Sequence, residues 1–165
     1  MREARSSAGV TQAEIASTLG TTVSRVSRVE RGAELFSLER VMQLAKLLRV
    51  PLERALAATL QDLLERDELD YQVDVSKKAG TKVAVGQALR ELREGKGVGL
   101  RAFAEMYQSA PSRIVKMETS DVLLRPISVW YYADALGVDP KPLVRMVLQD
   151  LLQRECGKAF QVSLK

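Results

Sequence analysis

The chain contains no histidine and one cysteine, Cys156. Lack of histidine removes the commonest general base and the commonest neutral metal ligand together. A zinc site would need carboxylates and one thiol alone, a poor donor set. No nucleophile–base pair stands out either, so neither an enzyme, a metal nor a cofactor is expected. A lone thiol excludes an intrachain disulfide, and without a secretion signal a reducing cytoplasm is the expected compartment. No apolar run approaches the roughly 20 residues that a membrane span requires. What remains is a charged, globular composition of 165 residues, enough for one ordinary domain or two small ones. Net charge is only +4, but its distribution is uneven. Residues 1–61 carry nine Lys/Arg against six Asp/Glu, whereas 62–74 carry one Arg against six acids. Basic charge set apart from an acidic segment suits a face that meets a polyanion.

The chain repeats itself. A shift of 88 residues lays Met1–Asp67 on Leu89–Glu155 without a gap. Identical pairs include Arg2/Arg90, Arg5/Arg93, Gly9/Gly97, Ala16/Ala104, Ser24/Ser112, Arg25/Arg113 and Glu30/Glu118. The match closes on Leu60-Gln61-Asp62-Leu63-Leu64, repeated as Leu148-Gln149-Asp150-Leu151-Leu152. Roughly twenty identities over about 67 positions imply two copies of one fold. The expected units are 1–75 and 84–165, with a polar linker over 76–83. The second copy's first helix is expected to start at Gly86, which has no counterpart in the first, so a natural start upstream of Met1 is expected.

Each copy is expected to form five helices. In the first, a helix near Arg2–Ala8 precedes Gly9, and Gln12–Leu19 places Ile15, Ala16 and Leu19 on one face. Gly20 ends that helix, Thr21 or Thr22 caps the next, and Gly32 stops it. Ser37 is the expected N-cap of a fourth helix with Val41, Leu44, Ala45 and Leu48 inward. Pro51 opens a fifth. Pro111, Pro126 and Pro140 lie near helix starts in the second copy, and Gly137 is a stop. Tyr71–Val75 and Phe160–Leu164 alternate apolar and polar residues with the period of a half-buried strand.

The run Thr11-Gln-Ala-Glu-Ile-Ala-Ser-Thr-Leu-Gly20-Thr-Thr-Val-Ser-Arg-Val-Ser-Arg-Val-Glu-Arg-Gly32 resembles the helix-turn-helix of the lambda-repressor-like, or Xre, family. Gln12, Ile15-Ala16, Leu19-Gly20 and Ser24 through Gly32 carry the likeness. The resemblance implies an all-α helix-turn-helix fold for each five-helix unit and binding to double-stranded DNA. It also implies that Gln12 bonds a backbone phosphate. With the repeat and the alternating tails, the expectation is two tandem five-helix units, each with a short strand after it. On the residues themselves, small Ala16 allows a close helix crossing, while Val26 and Val29 point inward. Thr22 lies at the start of this third helix, and Val23, Ser24, Arg25, Ser27, Arg28 and Arg31 are left facing out. Such donors on a short helix suit the major groove.

The second copy departs at Leu100, which replaces Gln12, at Gln108, which replaces Gly20, and at Ser120, which replaces Gly32. Its candidate surface is Arg101, Ser109, Pro111, Ser112, Arg113, Val115 and Lys116. These departures keep open a second use, a protein-interaction adaptor of the anti-activator or antitoxin type, with a protein partner at the second copy. Of Trp130, Tyr131 and Tyr132, at least one must leave the core. The leucine-rich fifth helices and the strand-like tails suggest self-association, between the copies as a pseudo-dimer or between chains as a dimer. Pairing of the two tails would then set two recognition helices about 34 Å apart.

Overall fold

A computed structural model of the chain describes residues 1–79, 84–119, 122–157 and 160–165. Among them are ten helices and two strands, an all-α fold with one minor sheet. The first half runs α1 (Arg2–Ser7), α2 (Gln12–Thr18), α3 (Val23–Glu30), α4 (Leu38–Leu47), α5 (Leu52–Arg66) and β1 (Val73–Ala79). The second runs α6 (Val85–Gly95), α7 (Leu100–Met106), α8 (Pro111–Glu118), α9 (Pro126–Ala135), α10 (Lys141–Cys156) and β2 (Phe160–Leu164). From the second helix of each half onward, order and length recur almost residue for residue.

The apolar spacing accounts for the packing. Val41, Leu44, Ala45 and Leu48 are buried, as are Leu56, Leu60 and Leu64, which fall on one face of α5 at every fourth residue. Both halves feed one continuous apolar cluster, in which α10 packs against α4, α6 and α9. Of the two leucine-rich fifth helices, α10 thus reaches across to α4 of the other half, while α5 packs on α4 and β1 of its own. A cleft of about 200 Å³ remains between the halves, lined by Leu35, Phe36 and Leu63 and by Leu123, Leu124 and Leu151, which are counterparts in the repeat. Cys156 is buried against the same core, and burial pushes its thiol up to about 11, so it stays protonated near neutrality.

The two strands pair antiparallel across the halves: Val73 with Leu164, Asp74 with Ser163, Val75 with Val162 and Ser76 with Gln161. Gln72 and Lys165 exchange backbone hydrogen bonds at 3.1 and 3.0 Å and extend the ladder. Val73 and Val75 occupy in their tail the places of Val162 and Leu164 in the other. The register is therefore self-complementary about Asp74 and Ser163, the hallmark of an isologous contact. This corrects two expectations. The first strand starts at Val73, not Tyr71, and Ser76–Ala79, expected in a linker, instead continue β1 past an irregularity after Ser76. The partner strand makes the difference, since it satisfies backbone groups that a free linker would leave to water. Residues 80–83 of the expected linker lie outside the described residues.

Candidate nucleic-acid interface

The pair α2 and α3 is set up locally. Thr11 and Glu14 form a capping box at the start of α2: Glu14 N donates to Thr11 Oγ1 at 3.2 Å, and Thr11 N donates to Glu14 Oε2 at 2.6 Å. Gly20, at φ +55°, supplies the left-handed turn that follows. Thr22, rather than Thr21, then caps α3, its hydroxyl accepting from Arg25 N at 3.2 Å. Ile15 and Ala16 of α2 and Val26 of α3 are buried where the helices cross, and Val29 is half-buried. The opposite face of α3 leaves Thr22, Val23, Ser24, Arg28 and Arg31 exposed. Arg25 and Ser27, expected to face fully outward, are half-buried, because the chain after α3 turns back over that flank and brings Glu34 onto Arg25.

Glu30 ties this unit together from beneath. Arg5 Nε donates to its Oε1 at 2.7 Å, Gln12 Nε2 donates to its Oε2 at 2.6 Å, and Arg5 Nη1 donates to the Val10 carbonyl at 3.0 Å. Burial opposes ionisation of Glu30, but the hydrogen bonds from Arg5 and Gln12 and the charges of Arg5 and Arg2 outweigh it, holding its pKa below the ordinary carboxylate range. Gln12, half-buried, is thereby oriented at the N-terminus of α2 with a second amide hydrogen still to give. On the exposed side, Glu34 lies between two arginines. Its Oε2 is 3.1 Å from both Nε and Nη2 of Arg28, and its Oε1 is 2.6 Å from Arg25 Nε. Arg31 folds back, Nε donating to Ser27 O at 3.3 Å.

The second half keeps the frame and changes the face. Gln108, in the place of Gly20, adopts the same left-handed backbone at φ +51°, so the turn survives the loss of glycine. Arg93 repeats Arg5, with Nε and Nη2 donating to Glu118 at 2.6 and 2.7 Å and Nη1 donating to Val98 O at 2.8 Å. Leu100 cannot supply the amide of Gln12. Tyr132 of α9 does that work instead, its hydroxyl 2.7 Å from Glu118 Oε1 and 3.0 Å from Leu89 O. This pair is buried on both sides, at 8% and 6% side-chain exposure. Arg101, Pro111, Ser112, Arg113, Val115 and Lys116 are exposed and Ser109 is half-buried. Met106, Val115 and Tyr131 leave an apolar character on the surface, where the first half has Thr18, Ser27 and Gln43. Of the three consecutive aromatics, Tyr132 is fully buried, Trp130 half-buried and Tyr131 exposed. Ser120 lies outside the described residues.

Two features escaped the reading of the chain. The capping box had a visible signal, Thr-x-x-Glu before an apolar pair, that went unused. The second had none. Ser37 occupies the N-cap of α4 but its side chain makes no cap; Leu38 N donates to Glu155 Oε2, from α10, at 2.8 Å. Reciprocally, Asp67, at the end of α5, accepts from Ile127 N at 3.1 Å and from Arg125 Nη2, at the start of α9. Asp67 and Glu155 are counterparts in the repeat, so each half caps the fourth helix of the other.

Residues 1–54 match a family model described as helix-turn-helix, a stretch that ends just inside α5. No curated protein and no solved structure matches the chain. Among the described residues no helix is long and apolar enough to cross a membrane.

Proposed function

We propose that the chain is a sequence-specific DNA-binding transcriptional regulator of the lambda-repressor-like kind, built from two tandem helix-turn-helix units that act in the cytoplasm. The observation that carries this reading is the exposed face of α3, with Ser24 and Arg28, inside the stretch matched to the helix-turn-helix family. Arg25 and Arg31 flank it, Gln12 is oriented to bond a phosphate, and Thr22 keeps its hydroxyl hydrogen for the backbone. Support for a second unit is the 88-residue repeat, the repeated Arg–Glu pair beneath α8 and the turn kept at Gln108. The reciprocal caps and the self-complementary strands suit a pseudo-dimer within one chain, which presents α3 and α8 to two unlike half-sites. The first unit is the principal reader, because Leu100 has no donor and Val115 replaces Ser27.

A second reading, an adaptor that binds protein through its second unit, is favoured by the exposed Met106, Val115 and Tyr131. Selection of bound sequences from a random duplex pool, followed by a salt titration, separates the two. A regulator enriches a defined site, whereas an adaptor binds duplex weakly and without preference, its affinity falling with salt alone.

A further inference from the structure

We propose that Glu34 is a specificity-determining residue, positioning the arginines of α3 for base readout and cancelling charge that would otherwise bind any duplex. The inference rests on α3 being the reader. Glu34 engages Arg28 through the Nε and Nη2 edge of its guanidinium, both at 3.1 Å. A guanidinium held along that edge keeps its terminal Nη1–Nη2 fork for a bidentate contact to guanine. The Arg28 side chain is 48% exposed, and Nη1 donates one of its two hydrogens to Ser24 Oγ at a long 3.5 Å, which leaves the other for the fork. The other carboxylate oxygen forms an ion pair with Arg25 Nε at 2.6 Å, without the angle of a hydrogen bond, so one acid draws two long side chains together before any ligand arrives. Ordering done in the free protein is not charged against binding.

The same contact sets the electrostatics. Arg25, Arg28 and Glu34 together bring one net positive charge to the face rather than two. Affinity for duplex of any sequence follows the number of phosphates neutralised, so Glu34 lowers that general term. A correct base contact is retained because it is made by the terminal fork, through the hydrogens that Glu34 and Ser24 leave on Nη1 and Nη2. The second half offers the contrast: Val122 stands in the place of Glu34, and Arg113 and Lys116 have no carboxylate at that position to hold them. A partly exposed pair contributes little to folding, so Glu34 can be changed without unfolding the chain.

The test uses the intact chain, the duplex it selects from a random pool, and a random duplex of equal length. Glu34→Gln should bind the random duplex several-fold more tightly, with a salt slope steeper by about one unit. Its preference for the selected duplex should fall by about tenfold. Arg28→Lys, which keeps the charge but loses the fork, should lose the same preference, and adding Glu34→Gln to it should cost little further preference. Unchanged melting shows that the fold is intact. Equal gains on both duplexes, or no change on either, would overturn the proposal, since Glu34 would then act as a plain charge or as a surface pair. A wild-type chain with no preference at all is a separate result, and it overturns the DNA-reading function itself.

Discussion

In each half a glutamate at the end of the third helix needs two donors, and each half finds its second donor in a different place. Glu30 takes Arg5 and Gln12; Glu118 takes Arg93 and Tyr132. The first solution uses an amide at the edge of the candidate DNA face, which fastens the fold and orients a donor outward in one bond. The second draws the donor from inside the core and leaves position 100 free to become leucine. One structural requirement is met in both halves, and only one of the answers places a polar amide at the start of α2. The comparison separates what the fold demands, an ionised carboxylate under the turn, from what a function would add.

The comparison breaks most visibly in stability. Glu118→Ala leaves Arg93 buried and charged with only Glu94, 3.6 Å from its Nη2 and largely in solvent, as a carboxylate neighbour, and should cost about 3 kcal/mol in denaturant unfolding. Glu30→Ala should cost less, because Arg5 can turn to water. Equal losses would mean that the two networks carry equal weight. A pH series sharpens the point. Burial opposes ionisation of Glu118, but the hydrogen bonds from Arg93 and Tyr132 hold its folded pKa below the ordinary value of about 4.3. As pH falls, the unfolded chain takes up this proton first. The contribution is therefore complete above the ordinary carboxylate range and lost as pH drops through the folded value. Unfolding of Glu118→Gln between neutrality and acid should be less pH-dependent than wild type; an identical slope would contradict the assignment.

Binding comes next in size. Arg28→Ala should weaken binding to a selected duplex by about 1–3 kcal/mol and relax one base preference, while Lys116→Ala at the matching place of α8 should do less. Quantitative gel shifts on the same duplex check the order, and a larger loss at Lys116 would reverse the roles of the halves. The cross-half caps follow. Asp67→Ala, which strips two partners from the start of α9, should cost about 2 kcal/mol, and Glu155→Ala about 1 kcal/mol. No loss at either would show that the halves do not depend on each other's carboxylates. The smallest effect lies in the turns. Gln108→Gly should stabilise the chain by about 1 kcal/mol by removing a left-handed non-glycine, with open space around the equivalent Gly20.

Much of this was legible in the chain. Helical spacing placed α2, α3 and α4 within a residue or so of their observed ends, because apolar faces, the glycines after α2 and α3 and the proline after α4 are local signals. The pairing of the two tails was legible from their alternation, but its extent was not. Ser76 to Lys78 are polar by sequence and, with Ala79, become strand only because β2 lies beside them. The caps of α4 and α9 were hidden for the same reason, since Leu38 and Glu155 are far apart in sequence and Ser37 offered a nearer, plausible cap. Gln108 showed the opposite failure. A missing glycine suggested an altered turn, yet the surrounding helices hold the same backbone at modest strain. Glu34 is six residues from Arg28 and nine from Arg25 in the chain, and its meeting with both required the fold of the loop after α3.

In the proposed function the first half reads DNA sequence through α3 and the second is the lesser reader. Selection from a random duplex pool with the intact chain, repeated with Arg28→Ala, tests it most directly. An asymmetric site is expected, whose stronger half loses its preference at one base pair in the variant, with the weaker half unchanged. A symmetric site, or an enriched site that Arg28→Ala leaves intact, would contradict it.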